Sequence, residues 1–360
     1  MVYLLDMRRK FFRRKRIDVL ITASCRLGGV PAITVGLIAC ATIELAIVSA
    51  QTPTKTASTH AWKAPRTPDG HPDMQGVWTH GTATPFERPT TLGTKAFYTE
   101  AEAADVARQA AARRANPPAQ RAGDVGGDNE AFVDGDYSYL RTRQTSIVVE
   151  PADGRLAFRP EAEKQREFNT TSRDDYETMS PWDRCITRSP TLMLPGGYNN
   201  GIRIVQTPGF AMIEVEEIHE ARIIPTDGRP HADPAITTWT GDPRGHWEGD
   251  TLVVDSTNYT DRGWISTHAG SGRLRGAPNS KALHIVERFT MIDQNTIQYD
   301  MTVDDPKTFR QPWRASLLLN RSDDYRIYEY ACAEGNVAIE LVLRGARAEE
   351  KAATKNGGTP

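Results

Sequence analysis

From about residue 145 onward, apolar and polar residues alternate with a period of two, and turn residues break the alternation at short intervals. Such alternation puts successive side chains on opposite faces of a strand. It predicts strands over 145–150, 202–207, 210–224, 236–239, 251–258, 283–291, 296–303, 313–319, 326–332 and 339–343. Asp227-Gly228 and Glu248-Gly249-Asp250 supply turns between them. Before this region, 72–78 reads as a short strand. Thr99 is a good N-cap for an alanine-rich helix from Glu100 to about Arg114, and 116–128 reads as a flexible loop rich in Pro, Gly, Ala and charge. The expected fold is mainly β: an antiparallel meander closing into a barrel, with one N-terminal helix.

The alternation also shows which polar residues point inward. Along 210–224, one face carries Ala211, Ile213, Val215, Glu217, His219, Ala221 and Ile223. The other carries Glu214, Glu216, Glu220 and Arg222 and reads as solvated. Glu287 is the exception on the face of Leu283, Ile285 and Phe289. Tyr299 lies among Ile297, Met301 and Val303, and Glu329 lies between Ile327 and Ala331. A buried carboxylate is costly unless it is paired or bonded. A desolvated Glu beside a His can move protons near neutral pH. In this reading His219 is the acid or base, Glu217 orients it, and Glu287 or Glu329 is the second carboxyl group. Tyr299 hydrogen-bonds a substrate. The alternative is a set of ion pairs holding the barrel closed, such as Glu217 with Arg203 or Arg184.

A second cluster runs from Asp227 to His231 and from Trp239 to Asp250, read as loops at the barrel mouth. His231, Asp242 and Arg244 are its candidate substrate-binding residues. Arg244 and Arg229 suit a carboxylate or phosphate, while tight-turn geometry alone accounts for Gly245, Gly249 and Asp250. No cofactor is expected. A divalent metal on His219, Glu217 and His231 is an alternative, but no His-Glu-x-x-His spacing supports it. Asp304-Asp305 and Asp323-Asp324 are candidate calcium ligands or plain acidic turns. There is no Gly-x-Ser-x-Gly, P-loop or dinucleotide fingerprint.

The N-terminus is different in kind. Arg8, Arg9, Lys10, Arg13, Arg14, Lys15 and Arg16 precede an apolar stretch over 30–50 that ends Val48-Ser49-Ala50. This pattern predicts an export signal over 1–50, with Arg8-Arg9-Lys10-Phe11-Phe12-Arg13 similar to a twin-arginine signal. An uncleaved anchor helix and a lipoprotein site at Cys40 are the alternatives. Glu44 weakens the anchor reading. A tether over 51–71 follows, then a strand, helix and loop unit over 72–135, the barrel over 136–347 and a disordered tail over 348–360. Periplasmic or secreted location follows, with no stable membrane span after processing.

The whole chain carries a net charge of -2, but the part after residue 50 has 36 basic and 43 acidic residues. An acidic domain disfavours nucleic acid as a partner, because phosphate contacts need a basic face. Cys185 and Cys332 are the two cysteines beyond the leader and suit a disulfide, with two free thiols as the alternative.

Gly76-Val77-Trp78 resembles the Gly-x-Trp entry of lipocalin-type barrels, in which the Trp plugs one end. Five further stretches join it: Tyr198-Asn199-Asn200, His219-Glu220-Ala221-Arg222, Asp227 to His231, Gly245 to Asp255 and Tyr328 to Cys332. With 72–78 and Glu287-Arg288-Phe289 they resemble a family of uncharacterised exported bacterial proteins. That resemblance implies export and one domain, and no reaction. The leading expectation is an extracytoplasmic, cofactor-independent enzyme, a lyase, isomerase or hydrolase. It would use acid–base chemistry on a small, partly apolar molecule. The alternatives are a lipocalin-like carrier of an apolar ligand and an envelope protein whose loop aromatics bind another protein. The oligomeric state is not legible.

Overall fold

A computed structural model describes residues 62–115, 141–191 and 194–355, apart from the side chains at 113, 114, 219 and 269. The leader, most of the tether and the 116–128 loop lie outside the described residues. Ten strands form one antiparallel sheet: β1 (Gly76–Thr79), β2 (Val148–Glu150), β3 (Gly201–Thr207), β4 (Phe210–Val215), β5 (Ala221–Pro225), β6 (Asp242–Glu248), β7 (Thr251–Thr257), β8 (His284–Asp293), β9 (Thr296–Asp304) and β10 (Trp313–Arg321). The order is β5-β4-β3-β1-β10-β9-β8-β7-β6, with β2 paired beside β10. The sheet curls into a nearly closed barrel. Its two end strands meet at Gly245, where an added Cβ would lie 2.9 Å from the Ile224 methyl.

The expected meander is therefore two meanders. One runs β3 to β5, the other β6 to β10, and β1 splices them. Trp78 is fully buried at this splice, and its indole donates to Met74 O at 2.9 Å. The Arg321 guanidinium lies 4.3 Å above its ring. Gly76 is required here: its φ is +133°, and a Cβ would sit 2.7 Å from Arg321 Nη1.

The inner faces of β7 to β10 follow the alternation. Val254, Ile285, Phe289, Ile297, Tyr299, Met301, Val303, Ala315 and Leu317 all fill the core. Removing such apolar surface from water stabilises the fold by about 25 cal/mol per Å².

Among the described residues, three helices accompany the barrel: α1 (Glu100–Ala115), α2 (Pro160–Thr171) and α3 (Ala338–Lys355). A reciprocal cap starts α1. Thr99 Oγ1 accepts from Glu102 N, and a Glu102 carboxylate oxygen accepts from Thr99 N at 2.8 Å. Pro160 and two acidic residues in the first turn favour α2, which the hydrophobic pattern did not reveal. None of these described helices is long and apolar enough to cross a membrane.

Several expected elements are replaced. The 210–224 strand is two strands joined by a 3-10 turn at Glu217–His219, where Ile218 has φ +61°. Residues 236–239 contribute one bridge, Thr238 to Tyr259. Residues 326–332 form no strand, and 339–343 lie inside α3. That helix continues to Lys355, through part of the expected tail. Residues 242–248, expected as loop, are strand β6. Cys185 and Cys332 stand at disulfide distance, with Cα atoms 5.7 Å apart, and fasten the 180s loop to the chain beyond β10.

Candidate functional site

The break at 216–220 shifts the phase of alternation by one residue. On β5 it is Arg222 and Ile224 that point inward, while Ala221 and Ile223 face solvent. Arg222, expected on a solvated face, thus enters the core and meets Glu287. Its Nη1 donates to Glu287 Oε1 at 3.0 Å and its Nη2 to Oε2 at 2.5 Å. Tyr299 donates to the same Oε1 at 2.8 Å, and Nη1 and Nη2 also reach Thr191 O and Ser256 Oγ. Burial, together with the adjacent Glu287 charge, pushes the Tyr299 phenol well above its usual value. Glu287 and Tyr299 are thus inward as expected, but their bonding is internal: the phenol serves Glu287.

Glu217 is also buried, yet its partners lie elsewhere. Arg188 Nε donates to Glu217 Oε2 at 2.9 Å, and Arg188 Nη2 donates to Oε1 at 2.7 Å. Arg203 pairs with Glu214 instead. The same Nη2 stands 3.1 Å from His268 Nδ1. Arginine has no acceptor, so Nδ1 must accept and the ring proton sits on Nε2. That Nε2 is 3.3 Å from Glu217 Oε2. Burial first, then the Arg188 charge, holds the His268 imidazolium well below the usual value, so the ring is neutral.

The loop after residue 193 lies directly on this triad. A Cβ on Gly196 would fall 2.8 Å from His268 Nδ1 and 3.2 Å from Glu217 Oε1, so only glycine lets the backbone approach so closely. Asn200 locks the loop, its amide accepting from Gly196 N at 2.8 Å and donating to Gly196 O. Half-buried aromatic rings lie beside the triad. The Arg188 guanidinium lies 4.5 Å from the Trp182 ring centre and 6.0 Å from that of Tyr198. Trp182 Nε1 reaches Tyr330 OH at 3.3 Å. Burial and the neighbouring Tyr330 raise the Tyr198 phenol. Glu220, at the end of the turn, is raised by burial.

Glu216 departs furthest from its expected place. It was read as solvated and is 1% exposed. Tyr325 OH donates to its Oε1 at 2.5 Å. The segment carrying Tyr325 leaves β10 and crosses the rim toward Cys332.

The remaining expected residues are distributed as follows. His219 lies on the 3-10 turn, with its side chain outside the described residues. Glu329 is exposed on an irregular segment, because no strand forms there to turn it inward. His231, Asp242 and Arg244 do come together, but on the outer wall of β6 and β7. Asp242 accepts from Arg244 Nη1 at 2.5 Å and stands 3.0 Å from His231 Nδ1. Asp255 joins His231 to His284 at 3.2 and 2.9 Å. Among the described residues, no three of His, Cys, Asp or Glu converge as a metal-binding group. Asp305, a candidate calcium ligand, accepts from Ser280 N and Lys307 N and anchors a turn.

Sequence reasoning missed Arg188, His268 and Glu216. His268 and Arg188 lie in irregular segments, where no period assigns a face. A local hint was the glycine-rich Gly196-Gly197-Tyr198 stretch, whose glycine proves to be a close approach. No family model, curated protein or solved structure matches the chain.

Proposed function

We propose that the protein is an extracytoplasmic enzyme that moves a proton to or from a small, partly apolar molecule at the Arg188–Glu217–His268 rim. One observation carries this reading: a neutral imidazole is held between a guanidinium and a carboxylate, all buried, beside half-buried aromatic rings. Glu217 and His268 would exchange the proton, and Arg188 balances the carboxylate charge. Positioned acid–base groups contribute about 10²- to 10⁴-fold to a rate. Lyase or isomerase chemistry fits such a site without a cofactor. Residues 1–50, with their basic and apolar segments, and the Cys185–Cys332 pair support an exported, oxidising setting. The resemblance to exported bacterial proteins supports the same setting, and the full burial of Trp78 in the Gly76-Val77-Trp78 entry supports the likeness to lipocalin-type barrels.

The test does not need the full reaction. The protein is incubated in D2O with a panel of small carbonyl compounds, amines and hydroxy acids, and hydrogen–deuterium exchange at carbon is followed by NMR. Exchange that falls about 100-fold or more in Glu217→Gln and His268→Asn is the expected result. Saturable binding with no exchange on any compound would leave a carrier and sink the enzyme.

A further inference from the structure

The charges around the rim do not balance: Glu216 and Glu220 each keep a buried carboxylate oxygen with no donor among the described residues, and Glu216 is the more deeply buried residue. Arg188 is matched by Glu217, and His268 is neutral. Arg222, the cation nearest in sequence, is matched inside the barrel by Glu287. Glu216 is left over. Its Oε1 accepts from Tyr325, whereas its Oε2 is buried and has no hydrogen-bond donor among the described residues. A carboxylate oxygen can accept more than one hydrogen bond, and leaving it bare away from water is costly.

Glu216 directly precedes Glu217 in the chain, and its Oε2 packs at the start of β3. It lies against the backbone of Gly201, where an added Cβ would sit 2.7 Å away. Gly196, five residues earlier in the loop that leads into β3, lies on His268 and Glu217. The stretch from Gly196 to the first residue of β3 thus passes over both the acid–base pair and the bare oxygen. The Tyr325 ring stands at Glu216 and is edge-on to the exposed Tyr328, with centroids 6.1 Å apart. A carboxylate beside aromatic rings is the chemistry that recognises an organic cation bearing N–H.

We infer that Glu216 is a substrate-binding residue of this site, and that its Oε2 receives the N–H of a small primary ammonium group. The inference rests on the proposed acid–base site and names its ligand class. The amine would anchor at Glu216 and place its neighbouring carbon toward Glu217 and His268. The substrate class is therefore a small amine with an apolar body.

The experiment is a binding series on the full exported chain, by calorimetry and NMR line broadening. The probes are alkylammonium ions up to phenethylammonium, together with N,N,N-trimethylphenethylammonium and 2-phenylethanol. Phenethylammonium is expected to bind saturably, and roughly 10- to 100-fold more tightly than either control, because only it offers a charged N–H donor. Glu216→Gln is expected to remove that preference while its thermal unfolding shows a folded protein. If that variant does not fold, the contrast between the three phenethyl probes on the unaltered protein decides. Equal affinity for ammonium and alcohol, no saturable binding, or an unchanged preference in a folded Glu216→Gln overturns the inference. Amine binding without carbon exchange would leave this inference standing and remove the enzyme. Exchange on compounds without an amine would do the reverse.

Discussion

Two buried arginine–glutamate pairs invite comparison. Arg222–Glu287 sits inside the barrel, and Arg188–Glu217 sits at its rim. In the first, both carboxylate oxygens accept from Arg222, and Tyr299 adds a third bond. Three strands, β5, β8 and β9, are thereby bolted together. In the second, the carboxylate also touches a neutral imidazole, and the arginine lies under half-buried rings. The same ion pair serves the fold where its neighbours are all structural. It is available to chemistry where one neighbour can gain or lose a proton.

The comparison breaks if both pairs respond alike. The largest effect is expected from Glu287→Gln, which leaves Arg222 charged and buried. It should cost about 3–5 kcal/mol of stability in chemical denaturation. Glu217→Gln should cost clearly less, with the loss seen in proton exchange; equal stability losses would make the rim pair structural too. Tyr299→Phe comes next. It removes one hydrogen bond to a carboxylate and should cost about 1.5–3 kcal/mol, measured by the same titration.

The smallest effect is in pH. The folded His268 is held neutral, whereas in the unfolded chain it takes up a proton below its usual value near 6.5. The unfolded state therefore binds more protons, so stability is full above about pH 6.5 and declines as pH falls below it. The slope from this one group is at most about 1.4 kcal/mol per pH unit. His268→Asn should flatten that part of the stability curve. An unchanged curve would show that the imidazole is not held as described.

The barrel was legible in the sequence where each strand has an uninterrupted period of two. On β8 and β9 the alternation placed Glu287 and Tyr299 inside from their neighbours alone. It failed at 216–220 because a turn with a left-handed Ile218 consumes the wrong number of residues for the period to survive. One slipped residue reverses every later side chain. That is why Arg222 was read as outward and Ile223 as inward. Strand β6 was hidden for a different reason. Its Asp, Pro and Gly are turn-favouring types, and Gly245 is there because β5 passes so close. Glu329 was misplaced because a short apolar run, 326–332, has no partner strand. The candidate site was the least legible part. Its key residues come from 188, 217 and 268, joined by tertiary folding and by no local pattern.

The position of β1 between β3 and β10 has a consequence in time. Trp78 pairs with Ile202 on one side and with Arg321 on the other. The first described strand to emerge during synthesis must wait for the last, β10, before its second edge is covered. Contacts so distant along the chain slow folding and leave unpaired edges exposed meanwhile. Loss of the segment around Gly76 would open the sheet between β3 and β10, creating two raw edges that favour association with other chains. Maturation of this barrel is thus paced by its C-terminal half, and any factor that shields the early strand during that interval would raise its yield.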